Sequence, residues 1–153
     1  MPDYEKRLKE LGLEIPAVPE PVGAYVPAVK TGNLVFCSGQ GPKQSGRPAL
    51  TGRVGGELTP EQGYQAARVA ALNCLAEIIS VLGSINRIRR IVQVRGFVNS
   101  PPEFHDQPKV INGASELLID IFGEQGRHAR CALGSNSLPG NIPVEVEMVV
   151  ETD

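Results

Sequence analysis

Apolar residues recur along this chain with two periods, and the alternation between the two sketches a fold. Between Thr59 and Gly83 the residues Ala67, Ala71, Cys74, Leu75, Ile78 and Leu82 lie mostly three or four apart, the stripe of a core-facing helix. Thr59-Pro60-Glu61-Gln62 supplies its start: a capping hydroxyl, a proline at the first helical position, and a glutamine placed to complete a capping box. Gly83 supplies the stop. Leu117, Leu118, Ile121 and Phe122 predict a second helix over about 110–122, ended by Gly123. The other period is two. Ile88–Val98 alternates and is rich in β-branched residues, with Ile91, Gln93, Arg95 and Phe97 on one face and Val92, Val94 and Val98 on the other. Further strands are predicted at about Tyr25–Val29, Leu34–Ser38, His128–Gly134 and Pro143–Glu151.

The segments between these follow from turn chemistry. Asp3 caps a short helix reaching Leu11, with Leu8 and Leu11 on one side, Glu5 set to pair with Lys9, and Gly12 ending it. Pro16, Pro19 and Pro21 make an extended connector, Lys30–Asn33 a hairpin-like turn, and 39–56 a long loop with room for one short strand. The order β-β-(β)-α-β-α-β-β predicts an α+β fold, a mixed sheet with both main helices on one face. Residues 1–21 read as an N-terminal helix and Pro-rich extension, and 22–153 as one domain.

Composition narrows the function classes. A chain of 153 residues hides roughly 70% of its unfolded surface and needs no disulfide or metal staple. The net charge is −2, with signs interspersed and no basic arm or stripe, so nucleic acid is not an expected partner. Arg87, Arg89 and Arg90 form the one basic cluster and read as a solvated strand start. Cys37, Cys74 and Cys131 have no CxxC spacing and read as reduced thiols; Cys74 falls on the core stripe. His105 and His128 have no partner at metal-ligand spacing, so no metal site is expected. The apolar stretch 66–82 is interrupted by Arg68, Asn73 and Glu77, which marks a core helix rather than a membrane span. A cytoplasmic protein is expected.

Two patterns point to chemistry. In Val144-Glu145-Val146-Glu147-Met148 the alternation sets Val144, Val146 and Met148 on one face and both glutamates on the other. In the strand before it, Arg130 shares a face with Ala132 and Gly134, which predicts a hollow beside a planar guanidinium shaped to hold a carboxylate. If Arg130 and Glu145 came from neighbouring strands, one could grip a ligand while the other handles a proton or water; an exposed ion pair of little consequence is the plain alternative. Ser38-Gly39-Gln40-Gly41-Pro42, just past a strand end, would let a ligand approach backbone N–H groups.

Gly23-x-Tyr25, Gly32-Asn33 leading to Ser38-Gly39-Gln40, Ala129-Arg130 with Leu138-Pro139 eight residues on, and Val144-Glu145-Val146-Glu147, in this order, resemble the RidA/YjgF family, also called translation inhibitors or L-PSP endoribonucleases. Phe122-Gly123-Glu124 and His128-Ala129-Arg130 look more like a RidA-related branch than the archetype. The resemblance implies a chorismate-mutase-like fold, a homotrimer, and clefts between subunits that bind small carboxylates and hydrolyse reactive imines or enamines to 2-keto acids and ammonia. Carried over by motif position, Arg130 would hold the substrate carboxylate and Glu145 would activate water. The Gly39 backbone would assist, while Tyr25 and Ser38 would line the cleft. Ala132 stands where many members carry cysteine, Pro102 lies where asparagine is common, and 101–112 looks longer than usual, so the pocket is reshaped. A non-catalytic carboxylate-binding regulator is the alternative. RNA cleavage, from the family's older name, fits the acidic balance poorly.

Overall fold

The computed structural model describes residues 1–153. A five-stranded sheet carries two long helices on one face, and a short N-terminal helix packs against the second of them. The elements in order are α1 (Tyr4–Glu10), β1 (Ala28–Thr31), β2 (Leu34–Cys37), β3 (Lys43–Gln44), β4 (Arg47–Pro48), α2 (Pro60–Leu82), β5 (Ile88–Asn99), α3 (Gln107–Phe122), β6 (Ala129–Ser135) and β7 (Val144–Thr152). Spatial order in the sheet is β1-β2-β7-β5-β6, antiparallel throughout except for the parallel pair β5/β6, whose crossover is α3. The mixed sheet with both long helices on one face is as the sequence predicts.

α2 begins as its sequence dictates. Thr59 and Gln62 exchange both bonds of the capping box, Pro60 opens the helix, and Gly83 closes it in a left-handed conformation. At 23 residues it is long and apolar enough to cross a bilayer, but most of it is buried inside the fold. Its small face (Ala67, Ala70, Ala71, Cys74) lets it lie close to β7 and α3. The closest approach is at Gly113 of α3, where an added Cβ would stand 2.0 Å from the Tyr64 carbonyl oxygen. Backbone cannot yield as a side chain can, so Gly113→Ala is expected to cost at least about 3 kcal/mol, read as a fall in the urea midpoint with unchanged m-value.

Four local expectations change. The first strand starts at Ala28, not Tyr25: residues 22–25 bend, and Pro27 brings no N–H to a ladder. The 39–56 loop contains a small hairpin, β3/β4, turning through Ser45 and Gly46, both at positive φ. In β5 the pairing with β7 slips twice, between Ile88 and Arg90 and between Ile91 and Gln93. The extra residue reverses the pleat, so Ile91 lies inside with Val94 and Val98 while Val92 faces out. Glu5 accepts from Ser84 Oγ at 2.8 Å instead of pairing with Lys9. The α1 helix is otherwise as expected, capped by Asp3, and its Tyr4 ring packs edge-on against Phe122 at 4.6 Å.

The other face of the sheet has no helix over it. Val29, Phe36 and Leu133 are 44–52% exposed there, around the Arg95–Glu147 ion pair. A shallow depression of about 340 Å3 lies among Phe36, Gln93, Arg95, Glu147 and Val149.

Candidate functional site

Glu145 sits on this outer face, opposite Phe97 of β5. Beyond β2 the chain keeps pairing with β7, but Phe36 faces Val149 while Gln40 faces Val146, so four steps on one side match three on the other. This bulge re-aims the chain. It presses Gly39 against Glu145, where an added Cβ would lie 3.1 Å from the carboxyl carbon. Gln40 then locks the register, giving its N–H to Val146 O at 2.8 Å and taking Val146 N–H at 2.9 Å. Ser38 donates its hydroxyl to Val26 O at 2.7 Å, which fixes the bend carrying Tyr25. The Tyr25 hydroxyl accepts the Val22 N–H at 3.1 Å, and the ring stays about half exposed. Four of the residues expected at the site, Tyr25, Ser38, Gly39 and Glu145, thus belong to one region around the β2 exit.

Glu145 is half-buried. Burial first, and the neighbouring Glu147 carboxylate second, push its carboxyl above the usual carboxylate range. That makes it a stronger base than an exposed glutamate. Glu147→Gln removes the second cause and frees Arg95 beside it, so the Glu145 titration is expected to move to lower pH, as followed by carboxyl NMR.

Arg130 lies elsewhere. Strand β5 stands between β6 and β7, so Arg130 and Glu145 are not on neighbouring strands. They also face opposite ways: Arg130 is in register with the buried Val94, on the helix side, whereas Glu145 faces out. The sequence pattern alone could not order the strands, because the Ser135–Ile142 connection looks like a hairpin but is not one. The hollow predicted over Ala132 and Gly134 is also partly filled: Gln107 Nε2 lies 2.8 Å from where a Gly134 Cβ would be.

α3 holds the guanidinium. Arg130 Nη1 donates to Asn112 Oδ1 at 2.8 Å and to Ser115 Oγ at 3.2 Å, and Nη2 donates to Pro108 O at 3.4 Å. Five N–H groups minus these three leave Nε–H and one Nη2–H for a ligand. His128 completes the cluster. Its Nδ1 faces Gly126 O at 2.6 Å and its Nε2 faces Ser115 Oγ at 2.9 Å. The carbonyl can only accept, so Nδ1 carries the proton and Nε2 accepts from Ser115. Burial, together with the Arg130 charge, holds the His128 pKa below the usual value and keeps the ring neutral. Ser115, Ile119, Arg127, His128 and Arg130 border a cleft of about 210 Å3. Asn112 and Ser115 escaped the sequence reading; three-residue spacing on one face of α3, under an arginine strand, was the available signal.

Comparison with known proteins gives the setting. Residues 5–151 match the family described as "YjgF/chorismate_mutase-like, putative endoribonuclease". The chain belongs to this family. Among its YjgF-type relatives, Protein TCP17 of Trypanosoma cruzi is 43% identical over 145 residues, 94% of this chain and 91% of that protein. The 2-iminobutanoate/2-iminopropanoate deaminase of Dermatophagoides farinae is 29% identical over 139 residues, 90% and 93% of the two chains. The crystal structure of Atu1372 of Agrobacterium tumefaciens, a protein of unknown function, superposes with a TM-score of 0.91 at 46% identity, covering 98% and 92% of the two chains.

Proposed function

We propose that this YjgF-family chain is a hydrolytic deaminase of reactive 2-imino acids and their enamine tautomers, acting in clefts between the subunits of a homotrimer. The observation that carries the reading is that Arg130, with two N–H groups left for a ligand, and Glu145, pressed on Gly39, lie on opposite faces of one sheet. One chain cannot close them on a single small molecule. A second copy can, by laying its edge strand β6 beside the first chain's outer face. The uncovered apolar residues of that face, Val29, Phe36 and Leu133, favour such burial.

In this cleft Arg130 holds the substrate carboxylate, with the neutral Ser115–His128 pair and Asn112 keeping the guanidinium oriented. Glu145 of the facing subunit takes a proton from water as its oxygen attacks the imine carbon. Glu145 returns that proton to nitrogen, giving the carbinolamine, and then passes the hydroxyl proton to the same nitrogen as the C–N bond breaks and C=O forms, so imine plus water gives 2-keto acid plus ammonia. Imines already hydrolyse in water, so orientation and one basic carboxylate suffice. The deaminase name of the relative from Dermatophagoides farinae supports the reading.

The test generates imines in situ with an amino-acid oxidase and measures keto-acid release. Release faster than buffer supports hydrolysis. Calorimetric binding of a small carboxylate without turnover points instead to a non-catalytic regulator, a reading favoured by Gln107 over Gly134. RNA cleavage would need a basic groove, which a net charge of −2 does not favour.

A further inference from the structure

Behind the Gly39–Gln40 bulge lies a second cluster that the proposed chemistry does not use. Cys37 points inward from β2, and Cys74 and Glu77 stand three residues apart on one face of α2. Their ligand atoms, two sulfurs and a carboxylate oxygen, all lie within 4.8 Å of one another. Glu77 is 1% exposed, and its Oε1 has no hydrogen-bond partner. A buried acid with an orphaned oxygen is costly, and native folds leave very few. Here it is found beside two thiols.

We infer that Cys37, Cys74 and Glu77 form an interior binding site for one zinc ion. Two thiolates and a carboxylate are a donor set suited to Zn2+, whose tetrahedral preference leaves a fourth position for water. Gln40 is itself buried and lies against Glu77. Burial opposes the charged forms of Cys74 and Glu77, so it is the dication that would stabilise them, and nearby groups add to this. Met148 N–H points at Cys37 Sγ at 3.3 Å, the kind of bond that steadies a thiolate. The Cys74 thiol donates to Val146 O at 3.1 Å, but that carbonyl also accepts from Gln40 N at 2.8 Å, so it stays satisfied when Cys74 gives up its proton. Binding exchanges the two thiol protons and the Glu77 proton for one dication, leaving one net negative charge that Lys43, next to Glu77, offsets. The ion would tie β2 to α2 directly under the loop that places Gly39. This inference stands apart from the deaminase reading, since no residue of the zinc cluster touches substrate in that reading.

Cobalt(II) is the probe, because thiolate ligation gives it an intense near-ultraviolet charge-transfer band. The full chain is loaded with Co2+ or Zn2+ both as purified and during refolding, desalted, and assayed for metal. One metal per chain with the charge-transfer band is expected, retained in Cys131→Ser and lost in Cys74→Ala and in Glu77→Gln. Absence of the band in both wild-type preparations overturns the inference, whatever the variants do. So does metal retained by a folded Cys74→Ala chain, or a Cys37–Cys74 disulfide that forms in air and leaves no thiols for metal.

Discussion

Arg130→Ala is expected to bring keto-acid release from freshly formed imines down to the buffer rate while the fold and assembly persist. Three of the guanidinium's N–H groups are already committed to Asn112, Ser115 and Pro108, so the side chain is pre-oriented and its remaining edge is the recognition element. Loss of a desolvated bidentate carboxylate contact costs about 3–5 kcal/mol, or roughly 10²–10⁴-fold in kcat/KM. The fold should survive because Ser115 keeps His128 as partner and Asn112 is only part-buried. Arg130→Lys restores the charge but not the fork, and is expected to recover little. Rates near wild type in Arg130→Ala would remove the carboxylate clamp from the mechanism.

The second large effect concerns stability. Burial pushes the Glu77 carboxyl from an ordinary value of 4.5 up to about 8, against the favourable influence of Gln40 and Lys43. In metal-free protein held in chelator, both folded and unfolded states carry the proton below pH 4.5, and neither does well above 8. Between those limits the folded state binds more protons than the unfolded one, so wild-type stability falls as pH rises through that window. The shift sets a ceiling of about 5 kcal/mol on the loss, and local relaxation reduces it. Glu77→Gln, isosteric and always neutral, is expected to flatten the dependence and to gain roughly 1–3 kcal/mol over wild type on going from about pH 5 to about pH 9. Parallel urea titrations of the two proteins check this. Equal slopes with pH would mean that Glu77 titrates normally in the fold.

Much of the architecture was legible because local signals agreed with the fold. The Thr59–Gln62 box, the Gly83 stop and the alternation of Val144 to Met148 each state an element and its inward face. What the sequence hid was non-local. Nothing in Ile88–Asn99 announces that this strand inserts between β6 and β7, yet that insertion parts Arg130 from Glu145. The bulges at Gly39 and Val92 were equally silent, because one extra residue leaves composition unchanged while reversing which side chains face the core. In the sequence Glu77 is only one of three polar interruptions in an apolar helix. It is enclosed by β2, the Gln40 loop and Lys43, all distant in sequence, which brings it beside Cys37.

Arg130 and Glu145 of one chain face apart, so the proposed site forms only where they meet across a subunit boundary. Mixed assembly tests it. Arg130→Ala and Glu145→Gln chains, each inactive alone, are unfolded together in equal amounts, refolded, and assayed for suppression of semicarbazide-trapped imine. In a cyclic assembly about a quarter of the clefts then combine an intact Arg130 with an intact Glu145 from its neighbour, so about a quarter of wild-type activity should return. Mixed oligomers that form but stay as inactive as either parent would contradict a site shared between subunits.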